Sequence, residues 1–168
     1  MNSRSKRRSM LALVTAALAV LTITLTGTPA QATSGVSIHV WHSSHCLDND
    51  TSNYARLVMY SCTGNPQQVW YEGYNSQTGQ FTFLNQNTGR CITAPTSGGG
   101  TVTMAYCDAS AVNQQWNLYA VGPVSDWYAV WQSASTGLCL TTDSVANGTL
   151  PYVGTCDPSH QYDDWAEG

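Results

Sequence analysis

The chain is 168 residues long and carries ten Asp and Glu against six Lys and Arg, and four of the six cations lie in the first eight residues. Beyond residue 32 only Arg56 and Arg90 remain against all ten acids, a net charge of −8. A surface of that sign has nothing with which to displace counterions from phosphates, so nucleic acid and anionic membranes are poor partners. Its aromatic residues sit amid Asn, Gln, Ser, Thr and Gly, which suits neutral ligands rich in hydroxyls.

Residues 1–32 read as a signal peptide. Arg4, Lys6, Arg7 and Arg8 form a basic start, Met10 to Leu25 an apolar run, and Ala30-Gln31-Ala32 a cleavage site with the cut after Ala32. The rival reading, an uncleaved anchor, has a run barely long enough for the roughly 20 residues a bilayer needs. The expectation is a secreted protein with no membrane contact after cleavage. Arg7-Arg8 loosely suggests the twin-arginine route, and general secretion serves equally.

Residues 33–168 then make one domain of ordinary size. Helical periodicity is absent after Leu25, and short alternating runs are punctuated by Gly, Asn, Asp and Pro, which predicts an all-β fold. The domain says one unit three times. Cys46 and Cys62 are 16 apart, Cys91 and Cys107 are 16 apart, and Cys139 and Cys156 are 17 apart; Trp70, Trp116 and Trp165 follow the second cysteines by eight or nine positions. Eight residues before the first cysteines stand Ile38, Phe83 and Trp131, and Leu47, Ile92 and Leu140 follow them directly. Five residues before the second cysteines are Leu57, Val102 and Pro151, and three before are Met59, Met104 and Val153, the alternation of a half-buried strand. Thr88-Gly89 and Thr136-Gly137 supply turns, and Ser97 to Gly100 reads as a hairpin loop. First cysteines 45 and 48 residues apart indicate a repeat architecture.

Six cysteines permit 15 connectivities. The near-equal spacings choose Cys46 to Cys62, Cys91 to Cys107 and Cys139 to Cys156, against a zinc-ligand alternative that lacks any CxxC pair. His39, His42 and His45 imitate a ligand cluster, but in a strand these positions alternate faces, so they read as loop or surface histidines. The repeated tryptophans read as the shared core. No cofactor and no metal are implied.

Catalysis finds little support, because the chain lacks a Gly-x-Ser-x-Gly elbow, an HExxH pair, a phosphate-cradling glycine loop and a free cysteine. Asp163-Asp164, read as strand neighbours, point oppositely and cannot flank one glycosidic bond. Asp48 and Asp50 could share a face in a strand.

With these spacings, Gln68-Val69-Trp70, Asn113-Gln114-Gln115-Trp116 and Cys46-Leu47-Asp48 resemble the ricin B-type lectin family, also called carbohydrate-binding module family 13, over roughly residues 36–168. The third copy departs, with Asp163-Asp164-Trp165 where a glutamine is expected. The resemblance implies a β-trefoil of twelve strands in three pseudo-equivalent repeats, each with one internal disulfide and room for one shallow sugar site. It places an acid two after the first cysteine, an aromatic two before the second, and Asn then Gln before the tryptophan. A carboxylate and an amide grip adjacent hydroxyls while a ring takes the apolar sugar face.

On that pattern the first repeat offers Asp48, Tyr60, Gln67 and Gln68 as carbohydrate-binding residues, with Gln67 in place of the usual Asn and Val58 in place of a frequent Gln. The competing reading gives Asp48 to capping the Asn49 to Asn53 turn and Tyr60 to packing. The second repeat keeps Asn113 and Gln114 but has Thr93 for the acid and Ala105 for the ring, which predicts a weak or silent site. There Gln114 reads as structural. The third has Thr141, Gly154 and Tyr162-Asp163, with Asp143 or Tyr152 as substitutes of low promise. The expected function is a non-enzymatic lectin module with a glycan or polysaccharide partner; the alternative is a sugar-silent trefoil that binds proteins, for instance as a protease inhibitor.

Overall fold

A computed structural model describes residues 35–168. The signal-peptide reading of residues 1–32 lies outside them. The three sequence repeats become three structural repeats. The first holds β1 (Ile38–Val40), β2 (His45–Asn49), β3 (Leu57–Ser61) and β4 (Trp70–Asn75). The second holds β5 (Gln80–Asn85), β6 (Arg90–Thr93), β7 (Gly100–Thr101), β8 (Thr103–Tyr106) and β9 (Trp116–Val121). The third holds β10 (Ala129–Ser133), β11 (Cys139–Thr141), β12 (Tyr152–Gly154) and β13 (Trp165–Glu167).

This is one strand more than the resemblance implied. The chain changes partner around Val102: β8 pairs with β6 inside its repeat, whereas β7 pairs with β12 of the third. Gly100, expected in a hairpin loop, is therefore a paired residue.

That partner change is one side of a ring. The residue three before each second cysteine is bonded to a neighbouring repeat. The Met59 amide donates to the Thr149 carbonyl (2.8 Å) while the Gly148 amide donates to Met59 (2.8 Å), so a third-repeat loop lies along β3. The Met104 amide donates to the Ala55 carbonyl of the first repeat (2.9 Å), and Val153 pairs with Gly100 of the second. A half-buried strand with a free edge would invite unwanted pairing, and each repeat covers the edge of the next.

The three tryptophans meet in the core at 0–1 % exposure. A buried indole N–H needs an acceptor. Each finds the carbonyl of the residue after its repeat's first cysteine: Trp70 to Leu47 (3.2 Å), Trp116 to Ile92 (3.4 Å) and Trp165 to Leu140 (2.9 Å). Phe83 and Trp131, eight before their cysteines, pack edge to face at 5.0 Å. The disulfides Cys46–Cys62, Cys91–Cys107 and Cys139–Cys156 all form, with Cα atoms 5.1, 5.0 and 4.9 Å apart. Each closes a loop worth roughly 3 kcal/mol on the chain-entropy account.

His39 lies in β1 and His45 in β2, and His42 alone of the three falls outside a strand. β1 ends at Val40, and His42 sits in a turn with φ of 57°, its ring stacked on Trp41 at 3.8 Å and 3.2 Å from the Asp126 carboxylate. Among the described residues no three His, Cys, Asp or Glu side chains gather as for a metal ion. Asp163 and Asp164 also differ from the strand reading: both precede β13 and both are buried.

Burial has a cost at the C-terminal end. Desolvation, with the charge of Asp163 second, pushes the Asp164 carboxyl up to about 6, and its Oδ1 has no partner among the described residues. Desolvation, then the hydrogen bond and charge of Glu72, pushes Glu167 up to about 8. Both groups hold protons more tightly folded than unfolded. Their contribution to stability is present at low pH and is lost as pH rises through the folded values. In urea unfolding between about pH 4 and 8, the stability of Asp164→Asn with Glu167→Gln should therefore gain on wild type as pH rises. A constant difference across that range would contradict the assignment.

Candidate carbohydrate-binding site

Strand β3 builds the candidate site because alternate residues of a strand share a face. Tyr60 and Val58, with Arg56 just before the strand, line one cleft together with Asp48, Asp50, Thr51, Thr63, Asn65, Gln67 and Gly148. Its volume is about 370 Å³. Asp48 stands opposite Val58 in the β2–β3 register, which aims the carboxylate over the strand that carries the ring. Gly148 comes from the third-repeat loop held against β3, and Asn147 beside it accepts the Ser61 amide at 2.8 Å. One wall of the first-repeat cleft thus belongs to another repeat.

The turn after β2 is capped by Asp50. Its Oδ1 takes the Ser52 amide (2.8 Å) and hydroxyl (2.6 Å), and its Oδ2 lies 3.1 Å from Arg56 Nη1. The Ser52 hydroxyl bond, ahead of the backbone bonds and the Arg56 charge, holds the Asp50 carboxyl below its ordinary range. This corrects the competing reading, which gave the turn to Asp48. Asp48 instead receives one bond, from Gln68 Nε2 to Oδ2 (2.9 Å), and Oδ1 has no protein partner among the described residues. Desolvation raises the Asp48 carboxyl, the Gln68 bond opposes this, and the Asp50 charge adds to it. Tyr60 is 46 % exposed, so its ring is not packing material. Gln67 is half-buried on the same cleft.

Gln68 is different. It is 1 % exposed, and its amide is fully bonded: Oε1 accepts the Thr63 amide (2.7 Å) and hydroxyl (3.1 Å), and Nε2 donates to Asp48 and to the Ser61 carbonyl (3.0 Å). An amide has no further hydrogen to give. Gln68 orients Asp48 and stays out of the cleft, which corrects its place among the ligand-facing residues.

The second repeat repeats the frame without the functional groups. Gln114 Oε1 accepts the Asp108 amide (2.8 Å), and Nε2 donates to the Tyr106 carbonyl (2.9 Å) and to Thr93 Oγ1 (3.2 Å). Thr93 stands where Asp48 stands, and its hydroxyl donates to the Cys91 carbonyl (2.9 Å). Asn113 Nδ2 donates to the Ala94 carbonyl (3.1 Å). Tyr106, one residue past the ring position, faces the other way at 76 % exposure and lies under the Arg90 guanidinium.

The third repeat keeps half of the frame. Asp163 replaces the glutamine, and its Oδ2 accepts the Asp157 amide at 2.9 Å, the same bond Gln68 and Gln114 accept. An ionised carboxylate accepts but cannot donate. Thr141, in the Asp48 position, receives no donor from it and has a buried hydroxyl with no partner among the described residues. Tyr152 donates to Asp143 Oδ1 at 2.6 Å, a bond that pushes its phenol up to about 12, so the two candidate substitutes satisfy one another.

The model of the ricin-type β-trefoil lectin domain matches residues 34–165. The chain belongs to that family. Among solved structures, similarity extends to the designed three-fold symmetric protein ThreeFoil, at 19 % identity and a TM-score of 0.67, covering 79 % of this chain and 96 % of that one. It extends also to an exo-β-1,3-galactanase from Clostridium thermocellum, at 20 % identity and 0.66, covering 80 % of this chain and 30 % of that one. The Polyporus squamosus lectin bound to a glycan epitope matches at 16 % identity and 0.64, over 80 % of this chain and 48 % of that one. At these identities the likeness is one of fold: a ricin-type trefoil spans the whole of one neighbour and only part of the others. No curated protein matches.

The repeat frame yields a stability test. Asp163→Gln restores the missing donor, reaching toward the orphan Thr141 hydroxyl, and removes one acid from beside Asp164. We expect a gain of about 1 kcal/mol in denaturant unfolding at pH 7. A loss of stability would mean that the carboxylate, not merely an acceptor, is required there.

Proposed function

We propose that this ricin-type trefoil is a secreted, non-catalytic module that binds a neutral glycan in the first-repeat cleft, with the second and third repeats serving as scaffold. One observation carries the reading. In the first repeat a half-exposed ring, Tyr60, and a carboxylate with an oxygen unpartnered among the described residues, Asp48, share a cleft. Asp48 Oδ1 accepts a sugar hydroxyl, a charge-assisted bond of the stronger kind. Tyr60 stacks on the apolar face of the ring, and the unbonded Gln67 amide takes a neighbouring hydroxyl.

The cleft's two carboxyls argue for recognition over hydrolysis. A glycosidase needs one raised acid free to give its proton and a second group as base or nucleophile across the scissile bond. Here Asp50, held low and bonded on both oxygens, is the anchor of a turn. The three disulfides support an oxidising, extracellular setting.

Asp48→Asn is the test. Losing a charge-assisted acceptor weakens binding about 10- to 100-fold, and a panel of plant and microbial polysaccharides in affinity electrophoresis reads it. Wild-type binding should also fade as pH drops through the raised Asp48 range, above where an ordinary carboxylate titrates. Equal binding by the variant would remove the site from the first repeat.

A further inference from the structure

The cleft that holds Tyr60 and Asp48 also holds a cationic donor, Arg56. Arg56, Val58 and Tyr60 face the same side at every second position, so the floor runs about 13 Å from Arg56 to Tyr60. Asp48 stands opposite Val58 at the middle, and Gln67 and Tyr60 line the same cleft. A volume of about 370 Å³ falls among sites that take ligands larger than a single ring. Arg56 is one of two arginines beyond residue 32 and the one that lines the cleft.

The Arg56 head is placed, not loose. Asp50 is immobilised by Ser52 through two bonds on Oδ1, and its Oδ2 takes Arg56 Nη1 at 3.1 Å. The side chain is 44 % exposed, and among the described residues no side chain or carbonyl takes its other guanidinium N–H groups. A half-exposed ion pair adds little to stability. A guanidinium held at one nitrogen instead offers a fixed set of donors to an oxygen-rich ligand.

Building on the reading of Asp48 and Tyr60 as the sugar site, we propose that the cleft recognises at least a disaccharide laid along β3, its first ring on Tyr60 and Asp48 and its second over Val58 with hydroxyl or ring oxygens on Arg56. The ligand class is a neutral glycan chain. Asp50 already compensates Arg56, and Asp48 adds a charge with no cation of its own, so a uronic acid or sulfate would meet net negative charge. Val58 gives the second ring an apolar floor where a longer polar side chain would stand in the way.

The test is calorimetric titration of the full secreted protein with matched pairs: galactose and galactobiose, xylose and xylobiose, arabinose and arabinobiose. For at least one pair the disaccharide should bind about tenfold tighter than its monosaccharide. Arg56→Gln should remove that gain, leave the monosaccharide affinity within about twofold, and leave the melting temperature unchanged, whereas Asp48→Asn should weaken both members of the pair. A disaccharide that binds no better than its monosaccharide overturns the inference and spares the sugar site. So does an Arg56→Gln variant that weakens both members equally, or neither. Absence of binding by every sugar overturns the sugar reading itself, and the extended cleft with it.

Discussion

In each repeat one side-chain oxygen, two residues before the core tryptophan, accepts the backbone amide of the residue after the second cysteine. The acceptors are Gln68, Gln114 and Asp163, and the donors are Thr63, Asp108 and Asp157. That bond ties the end of the disulfide loop to the segment that delivers the tryptophan, whose indole then bonds back beside the first cysteine. The three acceptors and the tryptophans are buried while Thr63, Asp108 and Asp157 are exposed, and a polar side chain buried without a partner costs about 1–3 kcal/mol, so the motif holds its parts in one arrangement. The rest of the trefoil is hung on three copies of this clasp.

The donor half of the clasp is where the repeats diverge. In the first repeat it holds a carboxylate and leaves one oxygen of it to the cleft. In the second the same amide is matched to a threonine whose hydroxyl is satisfied inside the protein, and in the third Asp163 stands for the amide and the threonine hydroxyl has no partner among the described residues. On the proposed reading, one scaffold bond becomes a site where the residue it orients has acceptor capacity to spare. The ring of interlocking repeats adds a second condition, since the loop holding Gly148 completes the cleft from outside the repeat that owns Asp48 and Tyr60.

The scaffold was legible because it is periodic: cysteine spacing foretold the disulfides, and the alternation foretold the buried strand residues Leu57, Met59 and Met104, while Val102 is buried in the break between β7 and β8. The candidate site was legible only in part. Asp48 and Asp50 are equally good turn residues on paper, and it takes the positions of Ser52 and Arg56 to give the turn to Asp50. Gln68 was recognisable as a motif residue, but which way an amide points depends on the donors around it, and these come from Thr63 and Ser61. Gly148 could not be assigned to a cleft some ninety positions earlier in the chain, because a contact between repeats leaves no local pattern. His42 escaped the strand reading for a local reason, a turn that the neighbouring Trp41 and the distant Asp126 hold in place.

The central claim is that a trefoil with three equivalent frames has one working site. Amide chemical-shift mapping during titration with an oligosaccharide that the protein binds addresses it most directly. The account predicts shifts confined to residues 48–68 and to the loop around Gly148, with the equivalent positions near Thr93 and Thr141 unmoved. Shifts centred on the second or third repeat, or spread equally over all three, would contradict it.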